Sequence, residues 1–333
     1  MNILLTGGTG YIGSHTALVL AQAGHSITLF DNLCNNQISV VSRLETLSAQ
    51  KMDFVQGDVR DTPLLSSVLK DRNIDAVIHF AGLKAVGDSV KNPVEYYANN
   101  VQGSISLLQA MQANHIKTLV FSSSATVYGV PQYLPYDEAH PTKAINPYGS
   151  TKLQIEDMLR DVAASDPEWS IAVLRYFNPV GAHESGLIGE MPSGVPNNLM
   201  PYLVQVASGK REDLRIFGND YDTKDGTGER DYIHVMDLAD GHLAALKYLL
   251  INTGWHPINL GTGQSTSVLE LVRTFESVTK MVIPYKIVER RDGDLPMYYA
   301  QSSKANQLLG WSAKRGLAEM CQSAWRWEKI GSL

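Results

Sequence analysis

Short apolar runs recur along the first half of the chain, at residues 3–5, 27–30, 54–55, 76–80, 119–122 and 171–176, with longer and more polar stretches between them. Runs this short and this uniformly apolar suit strands covered on both faces. The intervening segments around 12–23, 62–72, 94–114 and 146–165 have the length and spacing of helices. The alternation predicts an α/β fold, a doubly wound Rossmann-type parallel sheet linked by right-handed crossovers. Such a sheet places its ligand crevice at the carboxyl ends of its strands.

Past about residue 177 the rhythm loosens and loop signals multiply, at Asn178-Pro179, 189–196 and 218–228. With 333 residues there is room for two domains. We expect one over 1–176 and a smaller α/β one over 177–333, with part of 231–260 packing back on the first. The formal charge of -6 argues against nucleic-acid and anionic-membrane partners, which call for clustered positive charge. An anionic ligand would have to be held by a few placed cations. Cys34 and Cys321 are too few for a disulfide framework and lack metal-ligand spacing, so no metal is expected. The start Met1-Asn2-Ile3-Leu4-Leu5-Thr6 reaches glycine too soon for a signal peptide or a membrane span, which makes a cytoplasmic protein the expectation.

Gly7-Gly8-Thr9-Gly10-Tyr11-Ile12-Gly13 follows the first strand and opens a helix. Gly7, Gly10 and Gly13 let the backbone approach a pyrophosphate, and the helix amides stabilise its charge. Asp31 ends the second strand, where a carboxylate meets the ribose hydroxyls of NAD and repels the extra phosphate of NADP. Each feature has a plainer reading, a tight turn for the glycines and a turn cap with Asn32 for Asp31. Asp58 closes the third strand and suits either an adenine contact or a loop cap.

Tyr148 and Lys152 stand four residues apart, on one face of a helix. A free tyrosine titrates near ~10, and a depression of about three units by Lys152 and the positive charge of an oxidised nicotinamide together would make it a working base. Ser124, at the end of the fifth strand, is placed to hold a substrate oxygen and relay its proton. Alone, the tyrosine and lysine would be an ordinary amphipathic pair; behind a dinucleotide loop they point to hydride transfer. Ser122 and Ser123 read as strand-end hydroxyls serving the backbone, and His79, His234 and His242 as satisfied structural histidines.

These residues carry a resemblance. The glycine run continued through Ser14-His15, the runs Phe80-Ala81-Gly82-Leu83-Lys84-Ala85-Val86-Gly87 and Ser122-Ser123-Ser124-Ala125-Thr126-Val127-Tyr128-Gly129, and Tyr148 with Lys152 resemble the extended short-chain dehydrogenase/reductases, and among them the UDP-glucose 4-epimerases. The match continues through Arg175-Tyr176-Phe177-Asn178-Pro179, Asn197-Asn198-Leu199-Met200-Pro201, Gly228-Glu229-Arg230-Asp231-Tyr232 and Gly293-Asp294-Leu295-Pro296, nearly the whole chain.

The resemblance implies NAD kept bound through a cycle that oxidises and re-reduces sugar carbon 4, with UDP-glucose and UDP-galactose as substrates in galactose metabolism. It implies a homodimer built on the helices near 94–114 and 146–165. It assigns the proton transfer to Tyr148, assistance to Ser124, and tuning of Tyr148 to Lys152. The implied cofactor contacts are Gly7, Gly10, Tyr11, Ile12, Gly13, Asp31, Asn32, Asn35, Asp58, Val59, Phe80, Ala81, Gly82, Lys84, Asn99, Ser122, Tyr148, Lys152 and Tyr176. The implied substrate contacts are Ser124, Asn178, Asn198, Leu199, Phe217, Arg230, Tyr232, Arg291, Asp294 and Tyr298. Arg230 and Arg291 suit a pyrophosphate chemically. Sugar 4,6-dehydratases carry an Asp-Glu pair where this chain has Ala125-Thr126, and UDP-glucuronate decarboxylases a glutamate at Thr126, so both reactions lack their acid here. A bulky residue at Tyr298 goes with exclusion of N-acetylated sugars, although Tyr299 is adjacent. Epimerases of other UDP-sugars and a non-catalytic NAD sensor are the rival readings; a sensor would need neither Tyr148 with Lys152 nor the UDP-contacting set.

Overall fold

Ile3, Leu4 and Leu5 have no exposed surface, because the first strand lies inside a sheet with helices on both sides. A computed structural model describes residues 1–192, 194–291 and 293–331. The chain alternates β1 (Asn2–Thr6), α1 (Tyr11–Gln22), β2 (Ser26–Asp31), α2 (Ser39–Ser48), β3 (Asp53–Gln56), α3 (Thr62–Asp71) and β4 (Ala76–His79). Two short helices, α4 (Val86–Lys91) and α5 (Pro93–Tyr96), precede a π-helical turn (Tyr97–Val101), α6 (Gln102–Ala113), β5 (Thr118–Ser124), α7 (Pro147–Ser165) and β6 (Ser170–Tyr176).

The remainder comprises β7 (Asn178–Val180), α8 (Leu199–Ala207), β8 (Leu214–Phe217), β9 (Glu229–Arg230), β10 (Tyr232–His234), α9 (Val235–Leu249) and β11 (Gly254–Leu260). After these come β12 (Thr266–Ser267), α10 (Val268–Thr279), β13 (Tyr285–Val288), β14 (Met297–Tyr298), α11 (Ser303–Leu309) and α12 (Leu317–Ile330).

The main sheet runs β11-β6-β5-β4-β1-β2-β3, with every pairing parallel. The order reverses between β1 and β4, where a doubly wound sheet opens its crevice. One apolar core packs α1 and α9 against one face, and a second packs α3, α6 and α7 against the other. Residues 235–260 therefore join the first layers although they lie late in the chain: α9 packs on α1 and β11 pairs with β6. A separate core holds α8, α10 and α12 with β8. Its small sheets pair β7 with β10, β8 with β13, and β9 with β12 and β14.

The sequence reading differs from the structure in two places. Helix α2 has a single fully buried residue, Leu44, so its apolar face is too thin to signal a helix. The segment read as one helix over 94–114 breaks at Tyr97–Val101, where the Asn100 side chain bonds Leu83 and Thr151. A π-turn accommodates the extra residue needed to turn Asn100 inward. No helix among the described residues is long and apolar enough to cross a membrane, and no His, Cys, Asp and Glu group there could hold a metal ion.

Candidate active site

The glycine loop is shaped by close approach. Gly7 has φ +67°, and a Cβ there would stand 2.7 Å from Ala81 N. A Cβ on Gly13 would come 2.3 Å from the Gly7 carbonyl oxygen, so the first turn of α1 lies directly on the loop. Gly10 is the N-cap of α1, and no side chain caps this helix. Its leading amides are therefore open to an anion, and no acidic residue occupies the first turn. Thr9 Oγ1, buried in the same loop, has no hydrogen-bond partner. The residues present fit a dinucleotide pyrophosphate.

Around this cradle, Asp31 accepts from Thr9 N at 3.2 Å and Leu33 N at 2.9 Å, so it caps its own turn and also ties β2 to the glycine loop. Asn36, not singled out from the sequence, lies beside it and near Gly10, whereas Asn32 and Asn35 are exposed. Asp58 chelates Arg60, whose hydrogen bond is the main cause holding its carboxyl down at about 2; Val59 packs on Gly103. The Phe80 ring lies 4.8 Å from that of His242, tilted by 49°, and Gly82 lies close to Lys152 Nζ and Asn100. Asn99 donates to Asn100 from the π-turn. Tyr11, the first residue of α1, donates its hydroxyl to Gly181 O.

Helix α7 starts differently. Pro147 has no amide to satisfy, Tyr148 N donates to Ser89 Oγ at 3.2 Å, and Gly149 N donates to Asn146 Oδ1 at 2.8 Å. The capped turn leaves no place for an anion; what it does is fix Tyr148. Asn100 reinforces it, donating to Thr151 Oγ1, which in turn donates to Tyr148 O. The Ser89–Tyr148 and Asn100–Thr151 contacts escape a sequence reading because their partners lie 59 and 51 residues apart.

Tyr148 meets Ser124 at the end of β5. Ser124 Oγ accepts from Thr126 N at 3.2 Å and Thr126 Oγ1 at 3.0 Å, which leaves its own proton for the Tyr148 phenol. Burial nevertheless pushes the phenol up to about 12, against the hydrogen bond from Ser124. The sequence reading expected Lys152 to pull it down directly. In the structure Lys152 Nζ donates to Ser122 O at 2.7 Å, lies 4.9 Å from the Phe121 ring centroid, and stands 6.0 Å from that of Tyr148. A carbonyl, fixed by the parallel ladder, captures the ammonium. Tyr176, in register with Ser124, shares a hydrogen bond with Ser122 and another with His242.

Lys152 itself is only 4% exposed, and burial brings it down to about 8, with Glu156 opposing. Between about 8 and the ordinary 10.5 the unfolded chain binds the extra proton, so this group makes folding more favourable as pH rises through that window. Replacing Lys152 by methionine is expected to flatten that rise. Thermal unfolding of both proteins across the window would show it as a smaller pH dependence in the variant.

The second part of the crevice gathers around Asp294. Arg291 donates to it at 2.9 Å, Arg230 lies 3.8 Å away, and Arg291 also stacks over Phe217. Arg230 stacks over Tyr298, whose hydroxyl donates to Asn178 Oδ1 at 3.4 Å. Tyr299 instead gives its backbone carbonyl to Tyr136 N, so Tyr298 is the tyrosine that joins this cluster. Tyr232 is buried in the core beneath it, its phenol raised by burial. Asn198 is the N-cap of α8 with its side chain uncommitted to the cap, and Leu199 is the first helical residue. The histidines are internal: burial holds His79 and His234 down at about 3 and His242 at about 4, each with hydrogen-bond partners on both ring nitrogens.

Residues 4–324 match the family model described as GDP-mannose 4,6 dehydratase. A UDP-glucose 4-epimerase of Bacillus subtilis (strain 168) is 54% identical over 328 residues, which cover 98% of this chain and 97% of the relative. The chain belongs to the UDP-glucose 4-epimerase family. Among solved members of that family, the Stenotrophomonas maltophila enzyme with bound NAD and formylated UDP-arabinopyranose superposes with a TM-score of 0.97 at 50% identity, covering 99% of this chain and 98% of that one. The Bifidobacterium longum enzyme in complex with NAD+ and UDP gives 0.95 at 47% identity, with the same coverage. In this epimerase-family chain, Ala125 is buried and Thr126 bonds Ser124, where a dehydratase carries its acids.

Proposed function

We infer that the protein interconverts UDP-glucose and UDP-galactose by inverting sugar carbon 4, with NAD retained through the cycle. The observation that carries this reading is the Ser124–Tyr148 hydroxyl pair at the carboxyl end of β5, with Lys152 behind it and the Arg230–Asp294–Arg291 group reached through Asn178 and Tyr298. The cofactor's place is the glycine cradle, with Asp31 at its ribose end. When bound, NAD supplies the acceptor for the carbon-4 hydride and, in its oxidised form, the positive charge that draws the Tyr148 phenol toward its working range.

Tyr148 Oη takes the proton of the sugar 4-hydroxyl and returns one at the end of the cycle. Ser124 steadies the same oxygen, its own oxygen being pinned by Thr126. Lys152 stays largely cationic at neutral pH and holds the local field positive. Arg230 and Arg291 release part of their hold on Asp294 to grip the diphosphate, a bidentate task suited to guanidinium. Firm contacts on the nucleotide and few on the sugar let the oxidised sugar turn and present its other face.

Incubating the purified protein with UDP-galactose and no added NAD, while measuring UDP-glucose and bound dinucleotide, tests this reading. Turnover supports both the activity and the retained cofactor. No turnover from protein with its NAD in place would move the assignment to another nucleotide sugar.

Tyr298 limits the sugar. Replacing Tyr298 by serine is expected to open turnover of UDP-N-acetylglucosamine by about tenfold or more, since removing a bulky wall relieves a steric exclusion. A competition assay of both sugars on the two proteins measures this. Gly13 offers the corresponding test of the cofactor. Gly13→Ala should lower dinucleotide retention by about tenfold, because overpacking against backbone costs about 1–3 kcal/mol. The bound nucleotide released on denaturation gives the answer.

The reading includes a homodimer through α5, α6 and α7, supported by Val94 of α5, an apolar side chain 80% exposed. Sedimentation showing only monomer would remove it. It also includes a cytoplasmic setting, supported by two unpaired cysteines, Cys34 exposed and Cys321 buried.

A further inference from the structure

The segment 181–190 runs along the border between the dinucleotide cradle and the second part of the crevice, and it is fastened to both sides. Tyr11 donates to Gly181 O at 2.7 Å, Arg43 to Leu187 O at 3.0 Å, and Trp327 of α12 to Glu190 O at 3.0 Å. At its end the Glu190 side chain, 12% exposed, receives two donors on one oxygen. Lys84 Nζ approaches Oε1 at 2.9 Å from the loop after β4, and Asn198 Nδ2 approaches the same atom at 3.0 Å from the N-cap of α8. In the sequence Glu190 falls within the loop segment 189–196, with no chemical role read for it.

We propose that Glu190 is a positioning residue that sets Lys84 and Asn198 together, so that nucleotide-sugar binding and cofactor retention are coupled through one carboxylate. The proposal rests on the reading that Lys84 meets the dinucleotide and Asn198 the nucleotide sugar. Donor arithmetic supports it. An ammonium has three N–H groups and a carboxamide two, and each spends one on Glu190. Two donors on Lys84, and one donor with the carbonyl oxygen on Asn198, remain for ligands. The carboxylate thus orients both side chains without saturating either.

Neutralising Lys84 within a pair also limits the repulsion that a lone carboxylate would exert on anionic ligands. Because Lys84 is 60% exposed, the pair adds little to folding stability. What it fixes is the direction of two flexible side chains, and fixing a direction before binding strengthens binding.

The test uses the holoenzyme and the variants Glu190→Ala and Glu190→Gln. In Glu190→Ala, NAD release should be about tenfold faster and UDP binding about tenfold weaker, the scale of one oriented hydrogen bond lost. The KM for UDP-galactose should rise with the UDP dissociation constant, while kcat at saturating cofactor falls less than about threefold. Glu190→Gln keeps an acceptor for Asn198 but not the charge for Lys84, so it should restore UDP affinity and leave NAD release fast. In a Lys84→Met background, Glu190→Ala should not accelerate NAD release further. Wild-type or tighter affinities in Glu190→Ala would overturn the proposal. Lys84→Met and Asn198→Ala separate the two levels: if both bind as wild type, the reading of those residues fails; if they weaken binding and Glu190→Ala does not, only the coupling role fails.

Discussion

Replacing Tyr148 by phenylalanine is expected to lower epimerase turnover by about a thousandfold, the middle of the range for losing a positioned acid–base group. The phenyl ring keeps the packing, and the backbone of Tyr148 stays fixed by Ser89 and Thr151 whatever the side chain carries. Cofactor content and UDP affinity should therefore remain within about twofold of wild type, a pattern of lost transition-state stabilisation alone. The measurement is kcat for UDP-galactose beside bound NAD and UDP titration. A variant that kept a tenth of the activity would remove Tyr148 from the proton transfer, and one that changed nothing would favour the sensor. The phenol's position near 12 in the protein alone adds a second expectation. Without bound cofactor no ionisation of Tyr148 should be seen near neutral pH, and a phenolate absorbance band should grow in when NAD is added.

Removing the Glu156 carboxylate is expected to cost about 3–5 kcal/mol of stability, the usual effect of stranding a buried charge. Glu156 stands two helical turns beyond Tyr148 on α7, with Lys152 between them. It is paired with Arg175 of β6 at 2.6 Å, with side-chain exposures of 2% and 4%. Burial opposes the Arg175 charge, and the Glu156 pairing outweighs it. The network continues through Ser123, which donates to Glu156, and through Arg175 Nη1, which donates to Tyr128 Oη at 3.0 Å; Tyr128 then donates to Asn259 Oδ1 at 2.6 Å. It therefore joins α7 to β5, β6 and β11 on the face that carries Lys152. Glu156→Ala should show the loss in urea unfolding, whereas Glu156→Leu combined with Arg175→Met should recover part of it, since apolar replacements of both partners strand no charge and remove only the partners of the Ser123 and Tyr128 hydroxyls. A loss below about 1 kcal/mol in the single variant would mean that water or a rearranged partner had compensated Arg175.

Much of the fold is legible in the sequence. The apolar runs at 3–5, 27–30, 76–80, 119–122 and 171–176 all became strands of one parallel sheet, because a strand buried on both faces cannot disguise its composition. Helix α2 stayed hidden because only Leu44 is fully buried on it. The break before α6 stayed hidden because its cause, Asn100 reaching Leu83 and Thr151, spans residues up to 51 positions apart. Within the site, Asp31, Ser124, Tyr148, Arg230 and Tyr298 lay in runs with a readable chemical pattern. Asn36, Glu156 and Glu190 did not, since each acts on a neighbour that only folding supplies.

The sequence by itself determined the alternation of strands and helices, the glycine run that opens α1, and the shared helical face of Tyr148 and Lys152. These are consequences of local geometry, a repeat of two or 3.6 residues and the size of one side chain. Tertiary structure alone decided that Lys152 bonds the Ser122 carbonyl, that burial lifts the Tyr148 phenol while lowering Lys152, and that Glu190 ties Lys84 to Asn198. Desolvation and hydrogen-bond partners are set by what packs across the crevice, so the charge state of a catalytic group is a property of the assembled layers and not of its own segment.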